Sequence, residues 1–293
     1  MNGRPPWAPR GRLTMDHARI AARYGAALNP PLHRRAAGWA IAAFLFGLAA
    51  WGFAALGVDG QRFIRGFATL GHFLVHMIPP DTGSWAKFLV YAQALAETVA
   101  IAFLGTLIAS VLALPAGLLA ARNVMGQRVL HFLSRRFLDT IRGVDELIWA
   151  LIWVNVVGLG PFAGILAIAS ANFGAFGKLY SEAIEAADHQ PVDGVLSTGS
   201  SKALAVRFAL LPQVLPVMIS QVLYYFESNT RSATIIGIVG AGGIGLHLAE
   251  QIRSLEYQHV SALILMILLA VATIDQVSTR LRGALIGQVA QRA

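Results

Sequence analysis

The sequence predicts an all-α integral membrane protein with about six transmembrane helices. Of its 293 residues 56% are hydrophobic and 13% charged, whereas a soluble domain carries about a quarter charged residues. Mean hydropathy is +0.60, and several apolar runs are long enough to cross ~30 Å of hydrocarbon. Those runs lack the alternation of barrel strands, and in lipid a helix satisfies all its backbone groups within one segment.

A formal net charge of +8 would suit nucleic acid or an anionic surface, but its placement points elsewhere. Arg4, Arg10, Arg12, Arg19, Arg23, Arg34 and Arg35 all precede the first apolar run, as expected of a tail, residues 1–35, held on the cytoplasmic side. No short positive stretch leads at once into an apolar core and a small-residue cleavage site, so a cleaved signal peptide is not expected. The absence of cysteine excludes disulfides and thiolate metal sites.

The first span is expected over Ala36–Leu56, with Trp39 and Trp51 near its ends as interfacial anchors. Phe63–Ile78 is apolar on one face but carries His72 and His76 and follows Arg62; it reads as an interfacial helix stopped by Pro79-Pro80. These segments make a region 36–85. The second span lies within Phe88–Ala121, longer than a bilayer needs, with Pro115 as a kink. A third span is expected over about Phe137–Val157, a Gly158-Leu159-Gly160-Pro161 turn next, and a fourth over about Phe162–Phe176. A polar stretch, Lys178–Leu211, precedes a fifth helix that Pro212 suits in its first turn and that reaches to about Glu227. The sixth spans about Val260–Val277. With both termini cytoplasmic, this topology places 18 of the 23 Lys and Arg residues inside, as positive-inside charge bias requires.

The polar stretch contains "DGVLSTGSSKALAVRFALLP", Asp193–Pro212. It reads as a short helix, a stop at Gly199 and an amphipathic run entering the membrane. Such a helix can seat in a partner's groove and pass rigid-body motion to the spans it joins; by composition alone it can equally be an ordinary loop.

This stretch resembles the E-A-A-x-x-x-G…L-P loop in permease subunits of bacterial ABC importers. Gly199 follows Asp193 by six positions and Pro212 follows Gly199 by thirteen, as in that pattern. Asp193-Gly194-Val195 stands where Glu-Ala-Ala is usual, and Gly194 loosens the helix by about 1 kcal/mol relative to Ala. Glu146–Ile152, Val157–Gly164, Leu210–Pro216, Phe226–Arg231 and Val239–Gly245 together resemble the phosphonate-importer permease; the glycine-rich piece is shared with methionine-importer permeases. The resemblance covers about Leu89–Arg282. It implies a type I ABC importer permease core over residues 86–285, working as a dimer with a second copy of itself in the bacterial inner membrane. It also implies a cytoplasmic ABC ATPase dimer docked on a coupling loop, residues 188–212, through Asp193, Gly194, Leu196, Gly199, Phe208, Leu211 and Pro212. A periplasmic phosphonate-binding protein would deliver the substrate. ATP and Mg belong to that ATPase, since this chain has no G-x-x-x-x-G-K-[S/T] loop and needs no cofactor of its own.

Ionisable residues within spans are functional candidates by default. Glu146 and Asn155 fall nine residues apart on the expected third helix, on opposite faces; Glu146 is read as an ion pair with Arg142 one turn before it, ahead of a role in the path. Glu227, Asn229 and Arg231 are expected at the outer end of the fifth helix. Arg231 can meet a phosphoryl group bidentately or pair with Glu227, and both readings stay open. His72 and His76 have helical spacing but no acidic neighbour, so no metal site is expected.

Gly240-Ala-Gly242-Gly243-Ile-Gly245 matches the dinucleotide pattern G-x-G-x-x-G, which would make the chain a membrane-embedded nicotinamide-dependent enzyme. The strand–turn–helix setting and the downstream acid that the fingerprint needs are absent from the pattern here. Gly240, Gly242, Gly243 and Gly245 are therefore read as an outer gate on the far side of the membrane. An ion-coupled carrier acting alone would show paired broken helices in both halves, which the sequence lacks. Permeases for phosphite or hypophosphite remain the alternative on substrate.

Overall fold

The computed structural model describes residues 32–57 and 60–290. Of the Arg-rich tail, residues 1–35, residues 1–31 lie outside them and Leu32–Arg35 open the first helix. The described chain is helical and falls into two compact units divided between Gly71 and His72. The first holds α1, Leu32–Ala55, and most of α2, Gly60–His76. In α2 every side chain is exposed over Gly60–His76.

The second unit begins with α3, Trp85–Ala120, capped by Ser84, whose hydroxyl accepts from Lys87 N at 3.3 Å. Its 36 residues make a rod about 54 Å long, well beyond the hydrocarbon thickness. Then come α4, Arg128–Arg142; α5, Glu146–Val157; and α6, Pro161–Glu185. A short α7, Gln190–Ser197, leads through α8, Lys202–Ala205, and a π turn, Val206–Leu210, into α9, Leu211–Ile238. The chain closes with α10, Ile244–Arg253, and α11, Tyr257–Ala290.

Five apolar stretches among the described residues have spanning length: Ala36–Ala55, Trp85–Ala120, Pro161–Glu185, Lys202–Ile238 and Tyr257–Ala284. The expected third span is divided. Gly143, Val144 and Asp145 separate amphipathic α4 from apolar α5, and Asp145 caps α5 by accepting from Leu147 N at 2.9 Å. With 12 residues, α5 is about 18 Å long and cannot cross a bilayer alone.

Helices α3 and α6 form the spine. Glycines at their contact bring the backbones together: a Cβ on Gly105 would lie 2.7 Å from Ile168, one on Gly117 2.8 Å from Tyr180, and one on Gly164 3.0 Å from Ile101. The pairs 101/164, 105/168 and 117/180 keep one offset, so the two helices run in the same direction. Buried Ala102, Ala109, Ala113, Ala163 and Ala167 fill the seam, since in lipid close packing replaces a hydrophobic driving force. Phe176, Tyr180, Ile184, Val214 and Met218 pack at the Ala120 end, and Tyr91, Ala94, Ile244 and Leu263 towards the Trp85 end.

Three elements run longer than their apolar pattern suggested: α11 continues past Val277 to Ala290, and α6 and α9 extend as their polar residues find partners. In α6, Lys178 Nζ meets Asp139 Oδ1 at 3.0 Å, and Glu185 bonds Arg135 at 3.0 Å and Arg122 N at 2.8 Å. In α9 the helix continues past Glu227 to Ile238. Glu227, Asn229 and Arg231 therefore lie inside α9, not at its end.

Candidate functional site

The segment Ala186–Pro212 forms a compact cap at the Ala120 end of α3. Helix α7 has Pro191 in its first turn and stops at Gly199, whose φ of +79° suits glycine. Thr198 Oγ1 accepts or donates to Ser200 Oγ at 2.8 Å and donates to Val195 O at 2.7 Å, closing the stop. The cap is tied to α9 through Gln213, which accepts from Asp188 N at 3.2 Å and donates to Asp188 O at 3.3 Å. Its Nε2 also donates to Ala209 O at 2.8 Å across the π turn. Pro212 stands in the first turn of α9, as its missing N–H favours.

Of the residues read into this loop, Asp193, Gly194, Leu196, Gly199, Phe208 and Pro212 are exposed, and Leu211 is half-buried. Nothing lies within 4 Å of a Cβ placed on Gly194. Val192 packs inward, and Leu196, one turn on, borders the same cavity, so the free side of α7 carries Asp193 and Gly194. Phe208, 62% exposed, stacks with Arg207 at 5.4 Å.

The glycine turn packs against α3. Helix α10 begins at Gly243 and Ile244, whose backbone N–H groups donate to Glu97 Oε1 at 2.9 Å and Thr98 Oγ1 at 2.8 Å. Both partners belong to α3, so the α10 N-terminus is capped by another helix. Thr98 lies 13 residues along α3 from Trp85, about 20 Å from its tip; the turn is sunk along α3 rather than perched at its end. The α5–α6 turn meets it there: Gly160 N donates to Gly240 O at 2.9 Å, and a Cβ on Gly164 would lie 2.8 Å from Ala241 O. Gly240, Gly242 and Gly243 have φ of +100°, +82° and +73°. Gly245 is helical, but a Cβ there would strike Thr234 O. Each glycine thus has a local reason, either backbone sign or helix contact.

The polar candidates separate. Asn229 is buried and donates to Thr106 Oγ1 at 2.7 Å, holding α9 to α3. Glu227 is buried between two arginines, Arg231 Nη1 at 3.3 Å and Arg282 Nη2 at 3.1 Å. The Glu227–Arg231 pairing is present, and half of the Arg231 side chain remains exposed. Asn155 is exposed and donates back to Leu151 O at 2.7 Å. The expected Arg142–Glu146 pair does not form, because the break at Gly143–Asp145 puts the two on different helices. Glu146 instead turns to Ser232 of α9, with Oε1 buried and unpartnered among the described residues. His76 Nδ1 meets His72 O at 2.8 Å.

Sequence reading missed Glu97, Thr98, Thr106 and Arg282. Glu97 carried a signal, being an acid inside an apolar run. Arg282 lies beyond the expected sixth span, about Val260–Val277, whereas α11 continues past it. Thr98 and Thr106 are silent in sequence, since a hydroxyl in a helix usually bonds back one turn, as both also do to Ala94 O and Ala102 O.

Residues 113–289 match the family model described as binding-protein-dependent transport system inner membrane component. Among curated relatives, a Stutzerimonas stutzeri protein named as phosphite transport system permease HtxC is 40% identical over 77% of this chain and 79% of its own. A protein of Escherichia coli named as cryptic phosphonate transport system permease PhnE2 is 47% identical over 40% of this chain and 97% of its own. Among solved structures, the MetNI methionine ABC transporter in inward-facing form superposes with a TM-score of 0.59 at 19% identity, covering 69% of this chain and 99% of that one. The last likeness concerns the fold alone.

Proposed function

The chain belongs to the family of inner-membrane components of binding-protein-dependent transport systems, and from that premise we propose that it carries phosphonate anions into the cytoplasm. It is a multi-pass ABC importer permease subunit and not an enzyme; nucleotide is handled by a separate ATPase. In the proposed assembly two copies meet around the path, with residues 86–285 as core and both termini cytoplasmic. The Ala120 end of α3 then faces the cytoplasm, where Arg122, Arg128, Arg135 and Arg136 cluster. An external binding protein delivers the substrate.

The observation that carries the reading is α7 with its glycine stop: a short exposed helix braced to α9 through Gln213 and Pro212. A load placed on Asp193 passes into α9, which holds the arginine-flanked Glu227 and leads directly into the glycine turn. Residues 188–212 are assigned as the ATPase contact. Gly240, Gly242, Gly243 and Gly245 form the gate, and Arg231, with half its guanidinium arm free, is the path residue for a phosphoryl group. Asn155, exposed on α5, adds to the polar surface of the path, while Glu146, on the opposite face of α5, is turned to Ser232 of α9. Asn229 serves the scaffold.

Phosphite is the second reading, favoured by the likeness to HtxC. Proteoliposomes holding the permease, its ATPase and its binding protein test both. ATP-dependent uptake of methylphosphonate above that of phosphite supports the first reading. Preference for phosphite supports the second, and uptake driven by an ion gradient without ATP would overturn both.

A further inference from the structure

Helix α4 lies across the Ala120 end of α3 and α6 with an arrangement the transport reading does not use. Its inner edge is held by Leu138, which packs in backbone contact with Gly174 and Gly177 of α6. Its outer face leaves Val129, Phe132, Leu133 and Phe137 exposed. Between these edges is a cavity lined by Arg122, His131, Phe132, Arg135, Arg136, Asp139, Lys178 and Ser181.

The charge in the cavity is not balanced. Arg135 meets Glu185 at 3.0 Å; Lys178 and Arg136 share Asp139 at 3.0 Å and 3.6 Å. That leaves two carboxylates against four cationic side chains, with Arg122 and neighbouring Arg128 free of any ion pair among the described residues. Arg135 Nε and His131 Nε2 are buried without a hydrogen-bond partner among them, and His131 Nε2 stands 3.9 Å from Glu185. Buried donors normally have an acceptor, and a concave group of arginines presents several at once to phosphate oxygens.

The occupant is indicated by what borders the cavity. The Arg136 guanidinium lies 5.4 Å over the Phe132 ring, and from Phe132 the apolar row continues through Val129, Leu133 and Phe137. A free anion needs the cations alone, whereas a phospholipid needs cations for its head group and an apolar row for its chains. Basic pockets between helices on the cytoplasmic side suit anionic lipid head groups. We propose that Arg122, His131, Arg135 and Arg136 bind the phosphate of an anionic phospholipid of the cytoplasmic leaflet, with its acyl chains along Phe132 and Leu133 of α4. The leaflet rests on the orientation proposed above; the pocket's preference for anionic lipid does not.

The test titrates the full chain in neutral detergent micelles with phosphatidylglycerol or phosphatidylcholine, following the thermal unfolding midpoint. Phosphatidylglycerol is expected to raise the midpoint and phosphatidylcholine to leave it unchanged. Arg122→Gln and Arg136→Gln, both exposed, should each require about fivefold more phosphatidylglycerol for the same rise. Arg253→Gln on α10 should titrate as the parent does. Native mass spectrometry of the unaltered chain, counting retained phosphatidylglycerol, gives a readout independent of any variant. Equal effects of the two lipids, unchanged titration of both α4-side variants, or displacement of the lipid by inorganic phosphate would overturn the proposal. None of these measurements involves transport, so a failure here leaves the importer reading untouched.

Discussion

Gly242→Ala isolates the glycine turn with one added methyl group. The backbone at Gly242 has φ +82°, a region that costs an L-residue about 1–2 kcal/mol. The new Cβ would also stand 2.8 Å from Glu97 Oε1 and 2.9 Å from Pro161 N. Pro161 cannot yield easily: it opens α6, and the preceding Gly160 N is bonded to Gly240 O at 2.9 Å. Overpacking of this kind adds about 1–3 kcal/mol, for a total of about 2–5 kcal/mol against the present form of the turn. A shift of about 2 kcal/mol changes a two-state equilibrium about 30-fold. Uptake in proteoliposomes with ATPase and binding protein should therefore fall at least about tenfold, while the ATPase still copurifies with the permease. Gly240→Ala is the control. Its neighbour would be the Leu159 side chain, which can rotate away, so only the backbone term of about 1–2 kcal/mol applies and its uptake should lie between. Wild-type uptake by Gly242→Ala, or equal losses at both positions, would refute the reasoning; loss of ATPase copurification would show that the damage is not local.

Three further outcomes follow from the same geometry. Thr98→Val keeps the side-chain shape but leaves Ile244 N without its acceptor, and should destabilise the chain by about 1–3 kcal/mol in denaturant titration; a change below about 0.5 kcal/mol would mean that the cap on α10 is dispensable. Deleting Ser197–Ser201 removes the stop that frames α7 and should abolish ATPase copurification while membrane insertion is retained, whereas persisting copurification would move the contact elsewhere. Arg231→Gln leaves Glu227 its 3.1 Å bond to Arg282, so the fold should hold while phosphonate uptake drops by about tenfold, consistent with one lost charged contact; unchanged uptake kinetics would take Arg231 out of the path.

The apolar runs made most of the helices legible, because spanning length and hydrophobicity are summed over many residues and tolerate local error. The loop Asp193–Pro212 was legible for another reason: Gly199 and Pro212 act on their own backbone, through a positive φ and a missing N–H, whatever surrounds them. The division of the third span was not legible. A twelve-residue apolar helix behind an amphipathic one reads as one run; the Gly143–Asp145 break, with Asp145 capping α5, is fixed by packing, Leu138 against Gly174 and Gly177 holding α4 and the Trp153–Ser170 bond at 3.0 Å holding α5 to α6.

The ends of α9 and the fate of its polar residues show the same limit. Glu227, Asn229 and Arg231 looked like a helix terminus because charge in lipid is costly. Their partners, Arg282 55 residues later and Thr106 123 residues earlier, remove that cost and let the helix continue. The sequence by itself determined a helical membrane protein, its charge bias and the two glycine-marked segments, since these follow from composition and local backbone chemistry. Tertiary structure alone decided that the glycine turn sits some 20 Å down α3 under Glu97 and Thr98, and that Asn229 points into the scaffold, because cross-helix hydrogen bonds join residues whose proximity no local pattern encodes.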